Sequence, residues 1–174
     1  MTETVRLLGL DPGLRAMGWG VIDVTGNRLA HVANGTITSD SKLSLAERLV
    51  QLESGLISVI ADHGPASAAV ETAFVSKDAA AALKLGQARA ISLLVPARAG
   101  LDVAEYAPNK IKKTVTGSGH ADKQQIKMMV ETLLARCKTT SEHAADALAV
   151  AICHAHCRSA ISYIETADAR VKRA

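Results

Sequence analysis

Apolar residues along the chain switch several times between the alternating spacing of a strand and the three- and four-residue steps of a helix, and each switch predicts an element. Arg6–Leu10 predicts a strand that ends on the carboxylate of Asp11, followed by a turn over Asp11–Arg15. Gly18–Val24 predicts a second strand folding back on the first. After the Gly26-Asn27 turn, Leu29–Thr38 predicts a third. From Ser44 to Ala61 the residues Leu45, Leu49, Leu52, Leu56, Ile57 and Ile60 mark a helix with one buried stripe, stopped at His63-Gly64-Pro65. Ala66–Val70 is a further short apolar run, and it too ends on a carboxylate, Glu71.

The second half continues in the same way. Asp78–Val95 is alanine-rich and helical, and Leu101–Tyr106 predicts a fifth strand. Pro108 opens a helix running to about Val115. A glycine-bearing loop at Thr116–His120 precedes a helix over Lys123–Cys137, and His143–Cys157 forms a last apolar helix that Thr140 or Ser141 can cap. This order predicts an α/β fold: a five-stranded mixed sheet, its first three strands antiparallel, flanked by helices. There is no internal repeat and no linker, so residues 1–157 read as one domain. Residues 158–174, charged and weakly patterned, read as a flexible C-terminal tail. Small and polar residues between Val75 and Ala82 suggest a mobile loop.

Composition adds three constraints. A chain of 174 residues buries a sizeable core without staples, and with one Phe, one Trp and two Tyr that core is aliphatic. No window approaches the roughly 18 apolar residues of a spanning helix, and the first residues lack the apolar centre of a signal peptide. No membrane partner and a cytoplasmic location are therefore expected. Three cysteines, Cys137, Cys153 and Cys157, are an odd number and fit a reduced compartment. Cys153, His154 and Cys157 can be read as a fragment of a metal site, but small side chains packed on a helix is the favoured reading.

The net charge of +3 hides an asymmetry, because 13 of the 20 Lys and Arg residues lie in residues 88–174. Asn109–Lys127 holds five lysines and one acid. Such a patch attracts polyanions even on a nearly neutral protein, with a solvated helix face as the alternative.

The chemistry sits at element ends. Asp11 and Glu71 each end a strand, and His143 and Asp146, three apart, share a helical face. Taken singly, Asp11 can cap a turn, Glu71 can pair with a lysine and His143 can cap its helix. If the first and fourth strands are neighbours and the last helix crosses their ends, all four groups meet. Carboxylates brought together raise one another's pKa unless cations neutralise them, and hard oxygen donors at that density select Mg²⁺ or Mn²⁺. Two such ions per site can activate water and stabilise the departing oxygen of a phosphodiester.

The chain resembles the RuvC family of crossover junction endodeoxyribonucleases, the Holliday junction resolvases of bacteria, within the ribonuclease H-like superfamily. The resemblance covers roughly Leu7–His156 and rests on GLDPG with GWGV, on VETAF, on ALKLGQARA, on EYAPNKIKKTVTGSGHADKQQI and on HAADALAVAICHAH. It implies a ribonuclease H-like nuclease domain over residues 1–157, acting on branched DNA as a twofold homodimer beside the RuvA–RuvB branch-migration complex. Asp11, Glu71 and Asp146 fall on the family's catalytic and metal-binding acids. His143 falls on a fourth position that is often aspartate, and is read here as a metal ligand, with general base as the alternative. For DNA binding, the resemblance places Lys112 and Lys123 near the scissile phosphate, leaves Lys113 and Lys127 to hold the backbone, and sets Phe74 against opened bases. Asp78–Val95 is the candidate subunit contact, with packing inside one monomer as the equal alternative.

The function expected is metal-dependent resolution of Holliday junctions in recombination and repair, by paired hydrolytic nicks that leave 5′-phosphate and 3′-hydroxyl ends. The alternative is a junction-binding scaffold without catalysis. An actin-like phosphotransferase, which shares the DPG turn, is disfavoured by the short chain and the lack of a second glycine-rich loop.

Overall fold

The structure, a computed structural model, describes residues 3–72, 78–135 and 137–171, with side chains through residue 158. Five strands, β1 (Thr4–Asp11), β2 (Ala16–Thr25), β3 (Arg28–Thr38), β4 (Ser67–Glu71) and β5 (Asp102–Tyr106), form one sheet in the order β3-β2-β1-β4-β5. Tight connections make β1, β2 and β3 antiparallel neighbours. Helical crossovers make β4 parallel to both β1 and β5. This is the mixed sheet expected from the order of elements.

Helices cover both faces. Leu8 and Leu10 of β1 pack with Leu52 and Leu56 of α1 (Leu45–His63) and with Ala88 and Val95 of α2 (Ala79–Arg98). Leu7 packs on the other side with residues of α3 (Pro108–Thr116), α4 (Lys123–Leu133) and α5 (Glu142–Val171). Burial on both faces explains why β1 reads as an apolar run rather than an alternation. Each of these fully buried leucines contributes about 1.5–3 kcal/mol through burial.

The sequence marks several boundaries directly. Ser44 and Glu47 form a capping box at the start of α1, and Gly64, at φ 54°, ends it by donating its N–H to the Ile60 carbonyl. Asp122 and Gln125 form a second capping box on α4. Ser141 caps α5, its hydroxyl accepting from the Ala144 N–H.

Other expectations need correction. Ile57, placed in the buried stripe of α1, is 53% exposed, and Val59 is buried instead. Helix α2 runs through Pro96 to Arg98, beyond Val95. Helix α4 ends at Leu133, short of Cys137, because the Thr139 N–H and hydroxyl both donate to the Glu131 carboxylate and draw the chain back along the helix. Leu134 and Cys137 are buried without being helical, which is why the apolar pattern overran the helix. Helix α5 continues to Val171, past Cys157 where its apolar spacing fades. Phe74, and residues 75–77 of the expected mobile loop, lie outside the described residues.

Candidate active site

Strand register lines up one row across the sheet. Asp11 pairs with Gly18, Gly18 with Thr36, and Glu71 with Tyr106. Asp11 and Glu71 follow directly on the Leu10–Val70 pair of the parallel strands. Side chains of one row leave the same face of a sheet. Here that face is the one α5 crosses: Thr36 bonds Ser141, Asp11 bonds His143 and Tyr106 bonds His154.

Helix α5 approaches so closely that the sheet beneath it must lack side chains. A Cβ on Gly18 would collide with the His143 carbonyl, and one on Gly9 with the Ala147 carbonyl and the Ala151 nitrogen. Close contact of backbone with backbone is what sets His143 and Asp146 above the strand ends. His143 Nδ1 donates a 2.8 Å hydrogen bond to Asp11 Oδ2, which leaves Nε2 as the nitrogen able to accept or ligate.

The four groups meet. Asp11, Glu71, His143 and Asp146 line one cavity of about 330 Å³ with Lys112 of α3 and Lys123 of α4, over an apolar floor that includes Ile111 and Ile126. Burial pushes the Glu71 carboxyl up to about 7, with further raising by the charges of Asp11 and Asp146 against the opposing pull of Lys112. Burial and Asp11 push Asp146 up to about 6, opposed by Lys123. Asp11 is also raised by burial, while the hydrogen bond from His143 holds it down. Three acids are thus crowded into a site that makes their full ionisation costly.

That excess of negative charge is what fits a hard divalent cation. As placed, no three His, Cys, Asp or Glu side chains among the described residues close into a metal site. Oxygen donors with one imidazole are the donor set that Mg²⁺ or Mn²⁺ takes.

The lysines divide. Lys112 and Lys123 line the cavity, and Lys123 also forms an ion pair with Glu142, which lines an adjoining groove. Lys113 is exposed and not in the cavity wall, while Lys127 lines an adjoining groove between α4 and the start of α5 with Lys123 and Asp146. Lys110 lies over the Tyr106 ring, 5.2 Å from its centre. The Cys153–His154–Cys157 segment is no metal fragment here. His154 bonds Ser67 and Tyr106, Cys153 is buried against Thr114, and none of the cysteines is bridged.

Glu142, Thr36 and the glycines under α5 are parts of this arrangement that sequence reading passed over. Gly18 and Gly20, two apart on one strand, were the available signal of a close approach on one face.

Comparison with known proteins points to one family. The family model "Crossover junction endodeoxyribonuclease RuvC" matches residues 7–154. A protein of that name from Parvibaculum lavamentivorans is 66% identical over 96% of this chain and 95% of its own length. One from Rhizobium meliloti is 59% identical over 93% and 95%. Among solved structures, the Thermus thermophilus RuvC in complex with Holliday junction substrate matches with a TM-score of 0.81 at 29% identity, over 87% of this chain and 93% of that one.

Proposed function

Because the chain belongs to the RuvC family of crossover junction endodeoxyribonucleases and shares its ribonuclease H-like fold, we propose that it resolves Holliday junctions through the cavity formed by Asp11, Glu71, His143 and Asp146. The observation that carries this reading is the convergence of three carboxylates and an imidazole, from β1, β4 and α5, beside two lysines. The acids and His143 Nε2 would hold Mg²⁺ or Mn²⁺, two ions per site. Bound there, such ions supply an activated water and charge stabilisation for phosphodiester hydrolysis, leaving 5′-phosphate and 3′-hydroxyl ends.

The remaining work belongs to the chain. Lys112 and Lys123 bring positive charge to the phosphate and offset charge on its oxygens as the bond breaks. Asp11 orients the imidazole by accepting from Nδ1. Lys113, on the exposed side of α3, extends the basic surface along the DNA backbone, and Phe74 stacks on opened bases. Paired cuts on a four-way junction call for two sites related by a twofold axis. Leu83 and Leu94, exposed on α2, support that helix as the contact of a homodimer. The RuvA–RuvB branch-migration complex is the assembly in which this activity belongs, with residues 1–157 as the nuclease domain and 158–174 as an appended tail.

The deciding experiment is Asp11→Asn, tested on a synthetic four-way junction in Mg²⁺ and in Mn²⁺. Junction affinity should persist while cleavage falls on the order of 10³-fold or more. Unchanged cleavage would remove the mechanism, and a wild-type protein that binds junctions without nicking them in either cation would be the non-catalytic scaffold.

A further inference from the structure

Helix α5 carries two of the four groups in the cavity, and Ser141, the residue that caps its first turn, is itself tied to the sheet. Among the described residues, those between α4 and α5 include no regular element. Glu131 of α4 holds Thr139, and the residues on either side of it, Lys138 and Thr140, are held by β3, more than 100 residues earlier in sequence.

Asn34 uses its whole side chain there. Its Oδ1 accepts from the Thr140 N–H at 3.0 Å and from the Thr140 hydroxyl at 2.9 Å. Its Nδ2 donates to the Lys138 carbonyl at 3.2 Å and to His31 Nε2 at 2.8 Å. An amide offers two donor hydrogens and two acceptor lone pairs, and all four are engaged. His31, the one partner within β3, is itself held toward the neutral, accepting form because burial lowers its pKa. Two positions along the strand, Thr36 shares a 2.7 Å hydrogen bond with the Ser141 hydroxyl, the group that caps α5 through Ala144. The Ala145 N–H then bonds the Ser141 carbonyl, and His143 lies inside this braced turn.

We propose that Asn34 is a positioning residue of the nuclease, fixing the segment Lys138–Ser141 from β3 and thereby the place of His143 and Asp146 along the strand ends. The side-chain hydrogen bonds of Asn34 go to His31, Lys138 and Thr140 and to none of the four cavity groups. It acts through Thr140 and Ser141, with Thr36 as the second point of attachment. Gly18 and Gly20, which pair with Thr36 and Asn34, leave room for α5 to descend. Asn34 and Thr36 then set where along the sheet its first turn stops. The inference rests on the reading of the cavity given above.

The test compares Asn34→Ala and Asn34→Asp with wild type and with Asp146→Asn. Readouts are junction affinity, the single-turnover cleavage rate of bound junction, and amide hydrogen exchange resolved along α5. Asn34→Ala should bind junction as wild type does, cleave on the order of 10-fold to 100-fold more slowly, and exchange faster at Ala144 and Ala145 with the sheet unchanged. Asn34→Asp keeps both acceptor bonds from Thr140 but sets an oxygen against the Lys138 carbonyl and His31 Nε2, so it should recover only part of the rate. Three results would overturn the proposal: wild-type cleavage by Asn34→Ala, slower cleavage matched by faster exchange throughout the sheet, or loss of affinity at an unchanged rate of cleavage. If Asp146→Asn cleaves normally, the reading of the cavity fails, and this inference fails with it.

Discussion

Asp11 and His143, 132 residues apart in the chain, are joined by a 2.8 Å hydrogen bond between Oδ2 and Nδ1. The bond spans the end of β1 and the first turn of α5, so it reports directly on how the helix sits on the sheet. It also fixes the chemistry of the imidazole. With Nδ1 bound to Asp11, Nε2 is the nitrogen available to the cavity.

Replacing His143 separates its roles. His143→Ala removes the proposed ligand and the partner that holds the Asp11 charge, so cleavage should fall while junction affinity stays near wild type. His143→Asp restores a ligand, now an oxygen, and adds negative charge beside Asp11. Cleavage by that variant should return with its preference shifted from Mn²⁺ toward Mg²⁺, since nitrogen favours the softer ion. Single-turnover rates across a titration of each metal measure the shift, and an unchanged preference would argue against ligation by His143.

Gly18→Ala tests the close approach of α5. The new methyl group has no space, because the obstructing atom is a backbone carbonyl rather than a movable side chain. Overpacking of this kind costs about 1–3 kcal/mol, and cleavage should fall further than that loss of folded protein explains, because His143 is displaced from Asp11. Gly86 on α2 is the contrast. Nothing lies within 4 Å of a Cβ built there, so Gly86→Ala should raise stability by about 0.5–1 kcal/mol through helix propensity. Thermal melts and cleavage assays on the two variants make the comparison.

These two sites also show what the sequence made legible. Strand ends at Asp11 and Glu71 were readable because apolar runs stop at a carboxylate, and the capped starts of α1 and α4 were readable because capping is local chemistry. The convergence of Asp11 with Asp146 was inferred from placement at element ends. The Asp11–His143 bond, in contrast, depends on the helix-to-sheet distance that Gly9 and Gly18 permit; the spacing of Gly18 and Gly20 signals a close approach but not which helix makes it. The end of α4 was missed for a related reason. Burial of Leu134 and Cys137 continues the apolar spacing, while the interaction that breaks the helix, Thr139 with Glu131, spans eight residues. Three of the four bonds of Asn34 join β3 to residues beyond α4, so they were invisible to any reading along the chain.

Glu71 should make stability depend on pH in the absence of divalent cations. Its carboxyl is raised from 4.5 to about 7 in the fold, so between those values the folded state binds more protons than the unfolded one. Stability then falls as pH rises through that interval. Glu71→Gln removes the titration. In EDTA at pH 8 this variant should melt at a higher temperature than wild type, and the gap should close as pH drops toward 4.5. Adding Mg²⁺ or Mn²⁺ should stabilise wild type more than the variant, and increasingly so at higher pH, because protons and cations compete for the same oxygens. Equal melting temperatures at pH 8 in EDTA would show that the acids are not in mutual conflict.

His154 should produce a pH dependence of the opposite sign. Its ring is buried between Ser67, 2.9 Å from Nε2, and the Tyr106 hydroxyl, 2.9 Å from Nδ1. Burial, reinforced by the charge of Arg158, pushes it down from 6.5 to about 4. The unfolded chain therefore binds more protons between those values, so the contribution of His154 is complete above pH 6.5 and is lost as pH falls toward 4. A neutral imidazole donates through one nitrogen and accepts through the other, and Gln can reproduce part of that pattern without titrating. His154→Gln should lower stability near pH 7.5 by about 1–3 kcal/mol, the cost of imperfectly satisfied buried polar groups. Its deficit relative to wild type should then shrink as the pH is lowered from 6.5, because wild type alone must bury a proton-seeking ring. Denaturant titrations of both proteins at a series of pH values in EDTA isolate this difference, since the carboxylates of the cavity are common to both. A deficit that stays constant down to pH 4 would mean that His154 is protonated in the fold and that Ser67 and Tyr106 both accept from it.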